Sequence, residues 1–250
     1  MKCIPSSQGK SPRLGRPTLR KNGSNGWSLF IVVSLLIGLN AWSAEPSWHG
    51  SPLSVWLSHL NDLDKGRSGA AETALKSIGT NAVPYLIKLL SATPPAFGES
   101  LAQRQSQAVL AFRILGDSGA YSLPVLGSLL TNQSSTKITD PGPIAQAMAG
   151  IGERATPWLA MALSSTRSVV RRASMVGLID LGAKAQDEIS SVQQRLRDDD
   201  PEVRSLALLF VSAVCTNQTL KTSILKAAAQ DTDPHVRRLA ETELKRLAKK

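Results

Sequence analysis

A chain of 250 residues with 42% hydrophobic and only 4% aromatic content can bury a substantial core made mostly of Ala, Leu and Val. Cys3 and Cys215 are its two cysteines, and Cys3 lies in a leader-like segment, so the remainder has no intramolecular disulfide and must be held by packing. The net charge of +10 does not indicate a polyanion partner, because Lys2, Lys10, Arg13, Arg16, Arg20 and Lys21 precede residue 44 without a single acid, leaving the rest close to balance.

Residues 1–43 run from that basic stretch through an apolar segment, Trp27 to Leu39, to the small residues Ala41 and Ser43. This is the order of a secretory signal peptide. The apolar run is shorter than the roughly 20 residues a membrane-spanning helix needs, which favours cleavage before Ala44 over retention. The alternative is an anchor over residues 27–42. No cysteine follows the run, so lipid attachment there is excluded. Export places the chain in the periplasm or outside the cell.

From residue 44 to 65 the sequence predicts a short amphipathic capping helix, with Ser51 as N-cap, Pro52 at the first helical position, Trp56 plugging the open end and the helix running through Leu63. Beyond it, Val170-Arg171, Val203-Arg204 and Val236-Arg237 recur at a step of 33 residues, and Asp200 to Arg204 matches Asp233 to Arg237 almost throughout. A period of this size is the signature of stacked helix pairs. First helices end in an apolar-Gly pair, Ile78-Gly79, Leu115-Gly116, Ile151-Gly152 and Leu181-Gly182, where glycine is expected in the left-handed conformation that stops a helix. Cys215 replaces that glycine in the fifth copy and reads as core filler. Second helices open on Pro84, Pro124 and Pro157, tolerated in a first turn.

The resulting units are 66–92, 103–132, 141–164, 167–197 and 201–230, followed by a closing helix at 234–249 whose polar end acts as a cap. Two long linkers, Ser91 to Leu101 and Thr131 to Pro143, should lie along one edge of the stack. Residues 66–250 in this reading resemble the HEAT repeat family, particularly its short branch similar to phycobilisome-lyase-type repeats. The Asp-x5-Arg ladder of that family is matched by Asp198 with Arg204 and Asp231 with Arg237, while Ser165 stands in place of the acid before Arg171. The resemblance implies an all-α fold, a right-handed α-solenoid of about five and a half helix pairs, with a concave, protein-binding surface lined by second helices. Residues Gly50 to Leu57 and Ile78 to Pro84 are also similar to exported bacterial HEAT proteins of unassigned role.

Chemistry is sparse. Arg171, Arg172, Arg204, Arg237 and Arg238 form a basic column that could face phosphates, but acids in the adjoining turns make the surface mixed in sign. His49, His59 and His235 are scattered, so neither a metal nor a catalytic site is assigned, and no cofactor is expected. Asp198-Asp199-Asp200 before Pro201 reads as a capped turn. The expectation is a non-enzymatic scaffold binding another protein, with no nucleic acid, and membrane contact only through a retained leader. The alternatives are a bilin-lyase-like enzyme or enzyme subunit using the groove, and a nucleic-acid-binding protein. Tyr85, Val125, Trp158 and Glu188 form a partly exposed column before the core residues Leu86, Leu126, Leu159 and Ile189. Tyr85 and Trp158 are the candidate anchors, with Lys88 on the polar rim.

Overall fold

The computed structural model describes residues 45–91, 100–131 and 140–249. The expected leader and the centres of both long linkers lie outside the described residues. A hairpin of two-residue strands, β1 (Ser47–Trp48) and β2 (Ser51–Pro52), precedes helix α1 (Leu53–His59). His49 and Gly50 between the strands have φ of 49° and 79°, the two positive values a tight primed hairpin turn requires.

This hairpin changes the expected cap. Ser51 is not an N-cap and Pro52 is not helical. Both belong to β2, and Pro52 is extended at φ −68° and ψ 156°, so α1 begins at Leu53 and the Glu45 carboxylate accepts from the Ser54 N–H instead. The helix also stops at His59, and Leu63 is fully exposed. Trp56 is half-buried as a plug would be, and it donates its indole N–H to Ser51 O at 3.2 Å. Trp48, absent from the expected cap, meets it edge to face at 5.5 Å.

Five helix pairs follow: α2 (Lys65–Ile78) with α3 (Val83–Ser91), α4 (Leu101–Leu115) with α5 (Leu123–Thr131), α6 (Gly142–Ile151) with α7 (Thr156–Ala162), α8 (Ser168–Leu181) with α9 (Ile189–Arg195), and α10 (Pro201–Val214) with α11 (Gln218–Ala228). Helix α12 (Pro234–Leu247) closes the series. Each first helix packs on the next first helix, and each second helix packs on the first helix that follows it. That is a helical-repeat solenoid, as the period predicts. One continuous apolar core runs from Leu53 in α1 to Val214 in α10, and a smaller cluster of Leu208, Leu225, Val236 and Ala240 lies under α12.

Helix α1 occupies the place of a second helix in this scheme. Its exit repeats the exits of α9 and α11: the Asp62 N–H donates to His59 O at 3.0 Å, as Asp198 N–H donates to Arg195 O and Asp231 N–H to Ala228 O, both at 3.1 Å. In each case the aspartate carboxylate then accepts from the N–H two residues on, at 3.0 Å for Asp64, 3.1 Å for Asp200 and 2.8 Å for Asp233. The cap is therefore half a repeat, recognisable by its turn rather than by its apolar pattern.

Gly79, Gly116, Gly152 and Gly182 do take positive φ, from 52° to 113°, but with ψ between −126° and −158°. They therefore leave the left-handed helical region expected of a helix stop and enter one open essentially to glycine alone. The chain then makes a 3₁₀ segment before each of the first four second helices. Replacing Gly182 with Ala is expected to cost about 1–3 kcal/mol from backbone strain, read as a lowered urea midpoint with an unchanged slope. In the fifth pair Cys215 is buried and extended at φ −67° and ψ 118°, and the polar repair is made elsewhere. The buried Lys221 donates from Nζ to the Ser212 carbonyl at 2.8 Å, satisfying one of the orphan acceptors at the end of α10.

Candidate interaction surface

Most of the basic column is occupied by the fold itself. Arg171 Nε and Nη2 donate to the two Asp198 carboxylate oxygens at 2.8 and 2.7 Å, and Arg171 Nη1 donates to the carbonyls of Ser165 and Thr166 at 2.9 and 3.2 Å. Arg204 repeats this with Asp231 at 2.9 and 2.8 Å and with the carbonyls of Asp198 and Asp199. Arg237 reaches the carbonyls of Asp231 and Thr232. The Arg171 and Arg204 guanidinium groups thus join the turn before their own helix to the acid that starts the next repeat, while Arg237 braces its own turn alone.

The expected pairing of Asp198 with Arg204 and of Asp231 with Arg237 is accordingly corrected. Six residues upstream, each arginine meets a main-chain carbonyl, and for Arg171 and Arg204 the carboxylate partner lies 27 residues downstream. Ser165 does not interrupt the ladder, since only its backbone is used there. Burial pushes the Asp198 carboxyl upward, but the Arg171 guanidinium and the Asp200 N–H outweigh it and hold the group below its usual range. Asp231 is held low chiefly by Arg204. Asp200 and Asp233 cap α10 and α12 through 2.8 Å bonds from Glu202 N–H and His235 N–H, which confirms the capped-turn reading of the acidic run.

The second helices have a different character. The sequences of α3, α5, α7, α9 and α11 contain no aspartate or glutamate, while they carry Lys88, Arg195, Lys221 and Lys226. Leu86, Leu126 and Leu159 are fully buried as expected, but Ile189 is only half-buried and Val192 is the sealed residue of α9. The reason is that the turn into α9 is three residues longer than the turn into α7: Val192 stands ten residues past Gly182, as Leu126 stands ten past Gly116, whereas Leu86 and Leu159 stand seven past Gly79 and Gly152. Glu188 sits before the helix, accepting from Ser191 Oγ at 3.1 Å.

Tyr85 and Trp158 are both half-buried against the core, Lys88 is exposed, and Val125 is 38% exposed. Met161, one turn beyond Trp158 on α7, is 60% exposed and escapes a column drawn one residue wide. Trp158 also closes the gap between α7 and α5. A Cβ placed on Gly127 would stand 2.7 Å from its Cε3, so the indole lies directly on the α5 backbone of the preceding repeat. The structure therefore places Trp158 in inter-repeat packing while leaving part of its ring at the surface.

Two cavities flank these elements. A cleft of about 710 Å³ at the first-to-second-helix turns is lined by Arg113, Asp117, Glu153, Asp180 and Lys184, all exposed and mixed in sign. A groove of about 580 Å³ separates α9 from α11. Among the described residues, no group of three His, Cys, Asp or Glu side chains is arranged to hold a metal ion, and no helix is long and apolar enough to cross a membrane.

Comparison with known proteins assigns no family: no family model and no curated protein matches the chain. Among solved structures, an engineered protein is 17% identical over 79% of this chain and 96% of its own, with a TM-score of 0.41. A second engineered protein is 20% identical over 78% of this chain, which spans only 58% of that protein, with a TM-score of 0.45. The complex of CpcE and CpcF of phycocyanin lyase from Nostoc sp. PCC7120 is 20% identical over 79% of this chain and 78% of the matched one, with a TM-score of 0.40. Likenesses this distant carry nothing about activity or partner.

Proposed function

We propose that this protein is a non-enzymatic scaffold of HEAT type that binds another protein through the face made by its second helices. The observation that supports the reading is the line of Tyr85, Val125, Trp158 and Met161 on helices that carry no acid: amphipathic and apolar side chains kept partly in solvent where a packed core would hide them. Lys88 supplies a charged rim next to Tyr85. In the arginine column, by contrast, Arg171, Arg172 and Arg204 are held by intramolecular carboxylates, which leaves only Arg237 and Arg238 for a phosphate backbone.

A photo-crosslinking amino acid at position 161 is expected to trap a discrete protein adduct in the producing cells, and the same group at position 113 on the first-helix side is not. Adducts of equal yield at both positions, or at 113 alone, would move the interface away from α7. The role is placed outside the cytoplasm, with residues 1–43 removed on export. Intact-mass measurement of the native protein should then give a chain starting at Ala44, whereas recovery of Trp27 to Leu39 in the membrane fraction would assign that segment as an anchor.

A further inference from the structure

We propose that the groove between α9 and α11 binds an extended segment of a partner protein that presents carboxylates beside an aliphatic side chain. The inference rests on the scaffold reading but concerns a separate stretch of that face, one to two repeats beyond Trp158. The floor of the groove is apolar, from Leu196 and Ile224, both half-buried and packed against the core, and it can take one aliphatic side chain. Above it stand Gln193 and Gln194, whose side-chain amides have no hydrogen-bond partner among the described residues. A side-chain amide offers one acceptor and two donors, the complement of a peptide bond's N–H and C=O, so two in succession suit an extended main chain.

The charge of the groove selects the partner's sign. Arg197 lines it, and Lys226 lines the adjoining recess that shares Ser223 with it. Both cations are exposed and neither makes an ion pair within the described chain. Asp231 is the only acid on the wall, and Arg204 holds both of its oxygens, so it does not compete for an incoming group. What remains available is positive, and a carboxylate is the group that fits it. Nucleic acid is the poorer fit: α9 and α11 contain no aromatic residue on which a base could stack, and two cations make a short track for phosphates.

The test is a random-peptide display selection on the full chain, followed by affinity measurement of the winning peptides carrying fluorescein. Winners should be rich in aspartate and glutamate around one leucine, isoleucine or valine. Their affinity should fall by roughly tenfold or more on the double variant R197E/K226E, whose exposed sites leave melting unchanged. Gln193→Ala with Gln194→Ala should weaken them as well, and Trp158→Ala should not. Winners that are basic or lack acids would overturn the proposal, as would affinity indifferent to R197E/K226E, or displacement of the peptides by a thymidine oligonucleotide. Affinity lost in Trp158→Ala alone would keep the scaffold reading and remove the groove, whereas groove binding without any adduct at position 161 would do the reverse.

Discussion

Replacing Arg171 with alanine is expected to destabilise the protein by about 3 kcal/mol, the low end of the cost of breaking a buried ion pair. The Asp198 side chain is 1% exposed and Arg171 is 6% exposed, so the carboxylate left behind cannot be rehydrated without opening the packing of α8 against α10. The cost stays at the low end because Arg195 Nη1, at 3.2 Å, and the Asp200 N–H, at 3.1 Å, still donate to that carboxylate. Urea unfolding of the purified variant measures this directly, and a loss under 1 kcal/mol would show that the rung is not held as tightly as its geometry indicates. The equivalent change at Arg204 should cost less, since its pair with Asp231 is partly open to solvent, with side chains 13% and 12% exposed.

The same rungs set an acid limit. Asp198 and Asp231 have depressed folded-state pKa values, so each contributes stability fully present above the unfolded value, near 3.9, and lost as pH falls through the lower folded value. Wild-type stability should therefore decline steeply below about pH 4. The double variant Asp198→Asn, Asp231→Asn should be weaker at neutral pH but flatter below it. Parallel curves for the two proteins would show that other carboxylates govern acid unfolding.

Gly127→Ala should cost about 2–3 kcal/mol, large for a single methyl group in a helix where alanine is normally the better residue. The added Cβ would lie 2.7 Å from the Trp158 ring, and the indole cannot retreat without lifting off α5. Trp158→Ala alone should also destabilise, by about 2 kcal/mol given that the ring is only half-buried, but in its background Gly127→Ala should become neutral or favourable. A strictly additive double variant would mean that the ring does not rest on Gly127. The cycle also separates packing from binding: Gly127→Ala perturbs the ring from beneath, while Met161→Ala changes only the exposed side of α7 and should alter adduct formation without altering melting.

The architecture was legible in short-range signals. The 33-residue return of Val-Arg, the apolar-Gly endings and the prolines at Pro84, Pro124 and Pro157 are local signals, each acting through φ, ψ or helical spacing over a few residues, and the helix pairs formed where those signals placed them. Asp200 was likewise legible as a cap, because its partner is two residues away. Partners one repeat apart and chain reversals were settled only by packing. Arg171 takes Asp198 from the next repeat, and Trp158 rests on a glycine 31 positions earlier; neither separation matches the 33-residue period that made the repeats visible. The turn at His49 and Gly50 turned an expected helix start into a strand, because closing a hairpin satisfied the Ser51 and Pro52 backbone before a helix could. Ile189 lies off the core because the turn from Gly182 into α9 is three residues longer than the turn from Gly152 into α7, like the turn from Gly116 into α5, so the sealed residues are Val192 and Leu126, each ten past its glycine.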